Sequence, residues 1–236
     1  MSLDRELFGQ GPARDARFDV RDVWAELTNF SPEHPELTRE FLHRQMNEEV
    51  EGLEMSARNL ADFPDAPWDL RMAIARQCWD EARHVNAFRR ALESRGGAVG
   101  DYPVINFQYR ILTRIDSLIG RLAVQNRGFE AAGLDAIDTE IERSHGDADL
   151  SHLFDLQLAD EVQHVRYANV WMKRLVELHG PRAIVLVARA MAQATEALRV
   201  IAGDAIVTYP VVEELRREAG FTDAEIEAAR QQATAR

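Results

Sequence analysis

The chain has 236 residues, and its 40 Asp and Glu outnumber 28 Lys and Arg to give a formal net charge of −12. That length suits one large domain or a domain with a small extension, and an acidic surface excludes a general phosphate-binding role, which needs clustered cations. The single cysteine, Cys78, excludes an intramolecular disulfide and cysteine-rich zinc modules, while 46% hydrophobic residues allow a substantial core. No apolar run approaches the ~20 residues of a membrane span. The opening MSLDRELFGQGPARD lacks the apolar segment of a secretory signal. The expectation is a cytoplasmic protein that engages neither membrane nor nucleic acid.

Residues 1–35 read as an irregular arm, punctuated by Gly and Pro and closed by SPEHPEL. A first helix is expected from Pro35 to Phe63, with Leu42, Met46, Glu49, Leu53, Ser56 and Leu60 on one face. PDAP breaks it, and Asp65 is the expected cap of a second helix that stops at Arg95-Gly96-Gly97. That helix carries Leu70, Ile74, Gln77, Glu81, His84, Phe88 and Leu92 as its inner stripe. A third helix is expected over about 105–144, and after the turn SHGDAD a fourth over about 149–179. The stripe of the fourth reads Leu150, Phe154, Gln157, Glu161, His164, Ala168, Trp171 and Leu175. An apolar fifth helix over 182–202 and two short amphipathic stretches complete the chain. The expected organisation is an arm (1–35), an all-α four-helix bundle (36–180) and a helical extension packing on it (181–236).

Acids stand where apolar residues are expected on three of these stripes. Glu81/His84 and Glu161/His164 are both Glu-x-x-His pairs, and an i, i+3 pair shares one helix face. Each pair follows a helix with one inward Glu: Glu49 lies 32 residues before Glu81, and Glu130 lies 31 before Glu161. In an antiparallel hairpin, equal offsets from the turn bring residues to one level. Each hairpin therefore gathers two Glu and one His. Buried carboxylates need compensation, and two divalent cations neutralise four of them, as in the di-iron carboxylate bundles. Mixed imidazole and carboxylate donors suit iron, with an iron–manganese pair as the alternative. Glu49 is preferred as the first ligand on helical phase and offset, with Glu51 next. Asp80 and Asp160 precede the two pairs, where carboxylates commonly orient a metal-bound imidazole through its second nitrogen. Arg83 is expected to pair with one of them. Cys78, Trp79 and Trp171 are read as packing residues, Tyr167 as a core tyrosine, and His34, His43, His145, His152 and His179 as surface or capping residues.

DEARH at 80–84 resembles the ligand motif of bacterial multicomponent monooxygenases and ribonucleotide reductase small subunits. Together with EVEGLEM at 49–55, FPDAP at 63–67, EAAGLD at 130–135 and DEVQHV at 160–165, it resembles more closely a bacterial ferritin-like family. The resemblance covers about residues 40–175. It implies a ferritin-like four-helix bundle with additional C-terminal helices. It also implies two iron ions held by Glu49, Glu81, His84, Glu130, Glu161 and His164. The function expected is a non-haem di-iron oxidoreductase, an oxygenase or oxidase that takes dioxygen as co-substrate and oxidises a small organic molecule. Its electrons would come from a separate donor, and its assembly would be a monomer or homodimer. The alternative is a ferroxidase that handles iron itself. Gly52, Ala131, Gly133 and Ala168 are expected to leave room beside the ligands, with the substrate pocket between the first and third helices, on the side away from the two histidine-bearing helices.

Overall fold

The computed structural model describes residues 16–203 and 209–234. Among them the regular structure is helical apart from two dipeptide strands, β1 (Val20–Arg21) and β2 (Val104–Ile105). These pair in parallel, Val20 opposite Val104 and Arg21 opposite Ile105, and a single turn of 3₁₀ helix spans Trp24–Glu26. The expected arm therefore carries short regular pieces as well as irregular chain. No described helix is long and apolar enough to cross a membrane. Residues 16–115 together with those of 193–203 form one compact unit, and 116–192 with 209–234 form a second.

In the first unit α1 (Leu37–Asp62) and α2 (Trp68–Ser94) make a hairpin. Pro67, not Asp65, occupies the cap of α2, and no side chain caps it. Its fixed φ presets the first turn, and proline has no N–H to satisfy. The turn is tied by Arg71, whose guanidinium donates to the carbonyls of Leu60 (3.0 Å) and Phe63 (2.9 Å) at the end of α1. A cation there also complements the helix dipole. At the far end of α2, Gly96 takes φ +78° and the Gly97 N–H returns to Leu92 O at 3.0 Å, a glycine-terminated helix end.

Helix α1 is buried on two faces. Leu42, Met46, Glu49 and Ser56 lie on the expected stripe, but His43, Asn47, Glu51, Met55 and Asn59 are buried as well. The second face meets β2 and the short helix α3 (Phe107–Leu112). There the Asn47 amide donates to Ile105 O (3.1 Å), and Glu51 accepts the Tyr109 N–H (3.1 Å) in the first turn of α3. Glu51 thereby satisfies one of the N–H groups that every helix start leaves open. It is wholly buried.

The expected third helix is not continuous. It breaks between α3 and α4 (Leu118–Val124), where Thr113 turns its hydroxyl back onto Tyr109 O at 2.9 Å and Ser117 is extended. In the second unit α4 runs on through a π-helical segment, Gln125–Glu130, into α5 (Ala131–Arg143). Asp147 caps α6 (Ala148–His179), accepting the Leu150 N–H at 3.1 Å. Helix α7 (Pro181–Ala202) has residues in both units. Two short helices follow, α8 (Glu213–Glu218) and α9 (Asp223–Thr234). Asp135 of α5 holds α8, accepting from the Arg216 guanidinium (2.5 Å) and the Val212 N–H (2.9 Å). Ala219 packs beside α8 against Ala131, Leu134, Val162 and Val165 of α5 and α6.

Candidate metal centre

In the first unit the α1–α2 hairpin brings Glu49, Glu81 and His84 together, all buried, with potential ligand atoms within 4.8 Å of one another. His84 Nδ1 lies 3.0 Å from Glu49 Oε2 and 3.3 Å from Glu81 Oε2. The other oxygen of Glu81 accepts from the Gln77 amide at 3.0 Å, one helical turn earlier. The level arithmetic of the hairpin accounts for this: α1 descends and α2 rises through nearly equal numbers of residues about the PDAP turn. Glu49 faces the histidine while Glu51 is turned to Tyr109, so the two candidates for a first ligand are separated by contacts.

The second unit repeats the pattern. Glu130, Glu161 and His164 gather within 4.8 Å, and His164 Nδ1 is 3.2 Å from Glu161 Oε2. Glu130 is half-buried, and both its oxygens accept from amides: Gln125 Nε2 at 3.2 Å and Asn126 Nδ2 at 2.7 Å. The π segment makes this possible. In a regular helix, positions i and i+5 point about 140° apart, so Gln125 could not reach Glu130; the wider i→i+5 turn brings them onto one side. Asn126 also approaches the Tyr167 hydroxyl at 3.4 Å, which ties that tyrosine to the carboxylate's surroundings.

The donor set suits a metal. The His84 nitrogen lies 3.0 and 3.3 Å from carboxylate oxygens of Glu49 and Glu81, and that of His164 lies 3.2 Å from Glu161. A small divalent ion with bonds of about 2.1 Å sets neighbouring octahedral ligands about 3.0 Å apart. Gln77 orients the carboxylate of Glu81, and Gln125 and Asn126 that of Glu130, through neutral amides.

Asp80 is buried, and its carboxylate takes the guanidinium groups of Arg76 (2.7 Å) and Arg83 (2.5 Å), the second being the pairing expected of Arg83. Asp160 is half-buried on α6. Three expectations about burial fail. Trp79 is 64% exposed; Cys78 is only half-buried, with Sγ 3.9 Å from Leu53 O; and His43 is fully buried rather than a surface residue. Burial, then the charge of Glu81, pushes the Cys78 thiol up, away from thiolate character. His43 Nε2 accepts the Gly100 N–H at 2.8 Å and its ring packs edge-on to Tyr102. Gly52 also departs from expectation: a Cβ there would meet the Glu81 carboxylate rather than open space. Sequence reading singled out neither Gln125 nor Asn126, although Gln77 and Gln157 stood on the inner stripes as polar residues awaiting a partner.

A family model described as "Protein of unknown function (DUF455)" matches residues 4–227. The chain belongs to the DUF455 family. No curated protein matches this DUF455 member. A solved structure described as "Protein 19 with aldehyde deformylating oxidase activity from Synechococcus" is similar to it, with a TM-score of 0.54 and 18% sequence identity. The match covers 83% of this chain and 99% of that one. At that identity the likeness shows the fold alone, which is the ferritin-like, all-α class expected from the sequence.

Proposed function

We propose that this DUF455 protein is a non-haem di-iron oxidoreductase, and the observation that carries the reading is the pair of Glu/Glu/His triads, one in each unit. Each triad is read as a site for metal, and the chain as the holder of two ions, iron with iron or iron with manganese. Four carboxylates, from Glu49, Glu81, Glu130 and Glu161, balance the charge of two divalent cations. His84 and His164 supply the nitrogen donors. Such a centre, when loaded, supplies electrons to dioxygen and so oxidises an organic substrate. The chain's own groups have separate tasks. Gln77 fixes the rotation of Glu81, and Gln125 and Asn126 fix that of Glu130. Asp80, braced by Arg76 and Arg83, and Asp160 serve as acceptors for the outer nitrogens of the histidines. Electrons are delivered by a separate donor protein. An aldehyde is the first substrate class to assay, because that is the activity in the description of the structural neighbour.

The test begins with metal. Purified protein loaded anaerobically with Fe(II) is expected to retain about two ions per chain. Glu81→Ala and His164→Ala should each lose metal and oxygen consumption while far-UV circular dichroism stays helical. Full loading in both variants would sink the assignment. Oxidation of Fe(II) in bulk, with accumulation of a ferric core and no turnover of organic substrates, would replace it with iron handling.

A further inference from the structure

A Cβ built on Gly52 would lie 3.0 Å from Glu81 Cδ, 3.1 Å from Oε1 and 3.3 Å from Oε2. Those three distances are nearly equal, so the flat face of the carboxylate rests on the backbone of α1 at Gly52. The lone pairs of a carboxylate lie in its plane, along its edges. Both edges here are directed at partners: Oε1 accepts from Gln77 Nε2 at 3.0 Å, and Oε2 stands 3.3 Å from His84 Nδ1. A methyl group on residue 52 would press on the face. The carboxylate would have to give by a few tenths of an ångström, a shift that strains its contact with the Gln77 amide or tilts its edge away from His84. Backbone freedom does not explain this glycine, because it sits inside a helix and its φ lies outside the left-handed region, where alanine would be the better helix former.

We propose that Gly52 is a positioning residue of the metal centre: its missing side chain lets α1 serve as a flat platform that holds Glu81 in the plane in which it can bind a metal ion. The inference rests on the di-metal reading above. It reverses the sequence-level expectation that Gly52 opens a substrate pocket. At Gly52 the space is already filled by a ligand carboxylate, so a larger residue displaces the metal before it blocks a substrate. Gly133, three residues after Glu130, is the internal contrast: a Cβ there meets nothing within 4 Å.

The experiment uses Co(II), which reports its coordination by visible absorption and does not turn over in air. The full chain, freed of metal by a chelator, is titrated with Co(II) as wild type, Gly52→Ala and Gly133→Ala, and the melting temperature of each metal-free protein is recorded. For Gly52→Ala the dissociation constant should rise roughly tenfold or more, as it does when groups that orient metal ligands are lost. Its Co(II) spectrum should change, and its metal-free melting temperature should stay level or rise, as a better helix former predicts. Gly133→Ala should bind as wild type does. Wild-type affinity and spectrum in Gly52→Ala would overturn the inference while leaving the di-metal reading standing. A metal-free Gly52→Ala protein that melts well below wild type, or does not fold, would also overturn it by making Gly52 a packing residue. Failure of the wild type to bind Co(II) would overturn both.

Discussion

At the scale of single residues, the candidate centre is built as much from neutral amides as from its charged groups. Asn126 donates to Glu130 at 2.7 Å, and also approaches the His164 carbonyl at 3.3 Å and the Tyr167 hydroxyl at 3.4 Å. One amide therefore ties a candidate ligand to the chain of the next helix. Its removal should loosen Glu130 without removing a donor atom. Asn126→Leu is expected to keep the fold and to weaken Fe(II) binding by roughly 10–100-fold, measured by competition with a chromophoric chelator. Unchanged affinity would assign the amide a purely structural part. The same scale shows why identity alone misleads. Glu49 and Glu51 are two residues apart on α1, but one faces His84 and the other caps α3. Nothing in their own chemistry distinguishes them.

At the scale of elements, the C-terminal helices are held to the second unit by buried or partly buried charge. Glu225 of α9 pairs with Arg127, which lies in the π segment next to Glu130, and it accepts the backbone N–H and the hydroxyl of Thr222 at 2.8 Å. Burial alone would raise its carboxyl, but the hydrogen bonds from Thr222 and Arg127 outweigh it and bring the pKa from the ordinary 4.5 to about 2. A carboxyl depressed on folding contributes stability that is fully present above pH 4.5 and is lost as pH falls through about 2. Glu225→Gln should therefore lower the melting temperature at neutral pH. The gap to wild type should narrow below pH 4.5 and close near pH 2. A gap independent of pH would show that the charge of Glu225 contributes nothing. The π segment is the other element with a consequence. Its extra width at Gln125–Glu130 aligns Gln125 with Glu130, and a sequence read at 3.6 residues per turn places them on opposite sides.

At the scale of the whole molecule, the proposed metal binding would be linked to folding. An ion that binds the native chain and not the unfolded one stabilises it by about 2.7 kcal/mol at a hundredfold excess over its dissociation constant. Chelation should lower the melting temperature by several degrees. It should leave the far-UV spectrum helical at 25 °C, because each hairpin also has its own apolar core: Leu42, Met46, Leu70, Ile74 and Phe88 in one, Leu134, Phe154 and Val165 in the other. Scanning calorimetry with and without Fe(II) or Mn(II) checks this, and equal melting curves would argue against a resident metal. The sequence by itself determined the helical hairpins and the levels of their acids. Periodicity, Pro and Gly punctuation, and the offsets of Glu49, Glu81, Glu130 and Glu161 are local or nearly local quantities. Only the tertiary structure decided which of Glu49 and Glu51 faces the histidine, that His43 is buried, that the third helix breaks at Thr113–Ser117, and that Gly52 meets a carboxylate. All of these but the helix break depend on a second element, α3, the Gly100 loop or α2, arriving at a face that the helix's own periodicity leaves open. The free energy of burying that face belongs to the pair of elements and not to either sequence segment alone.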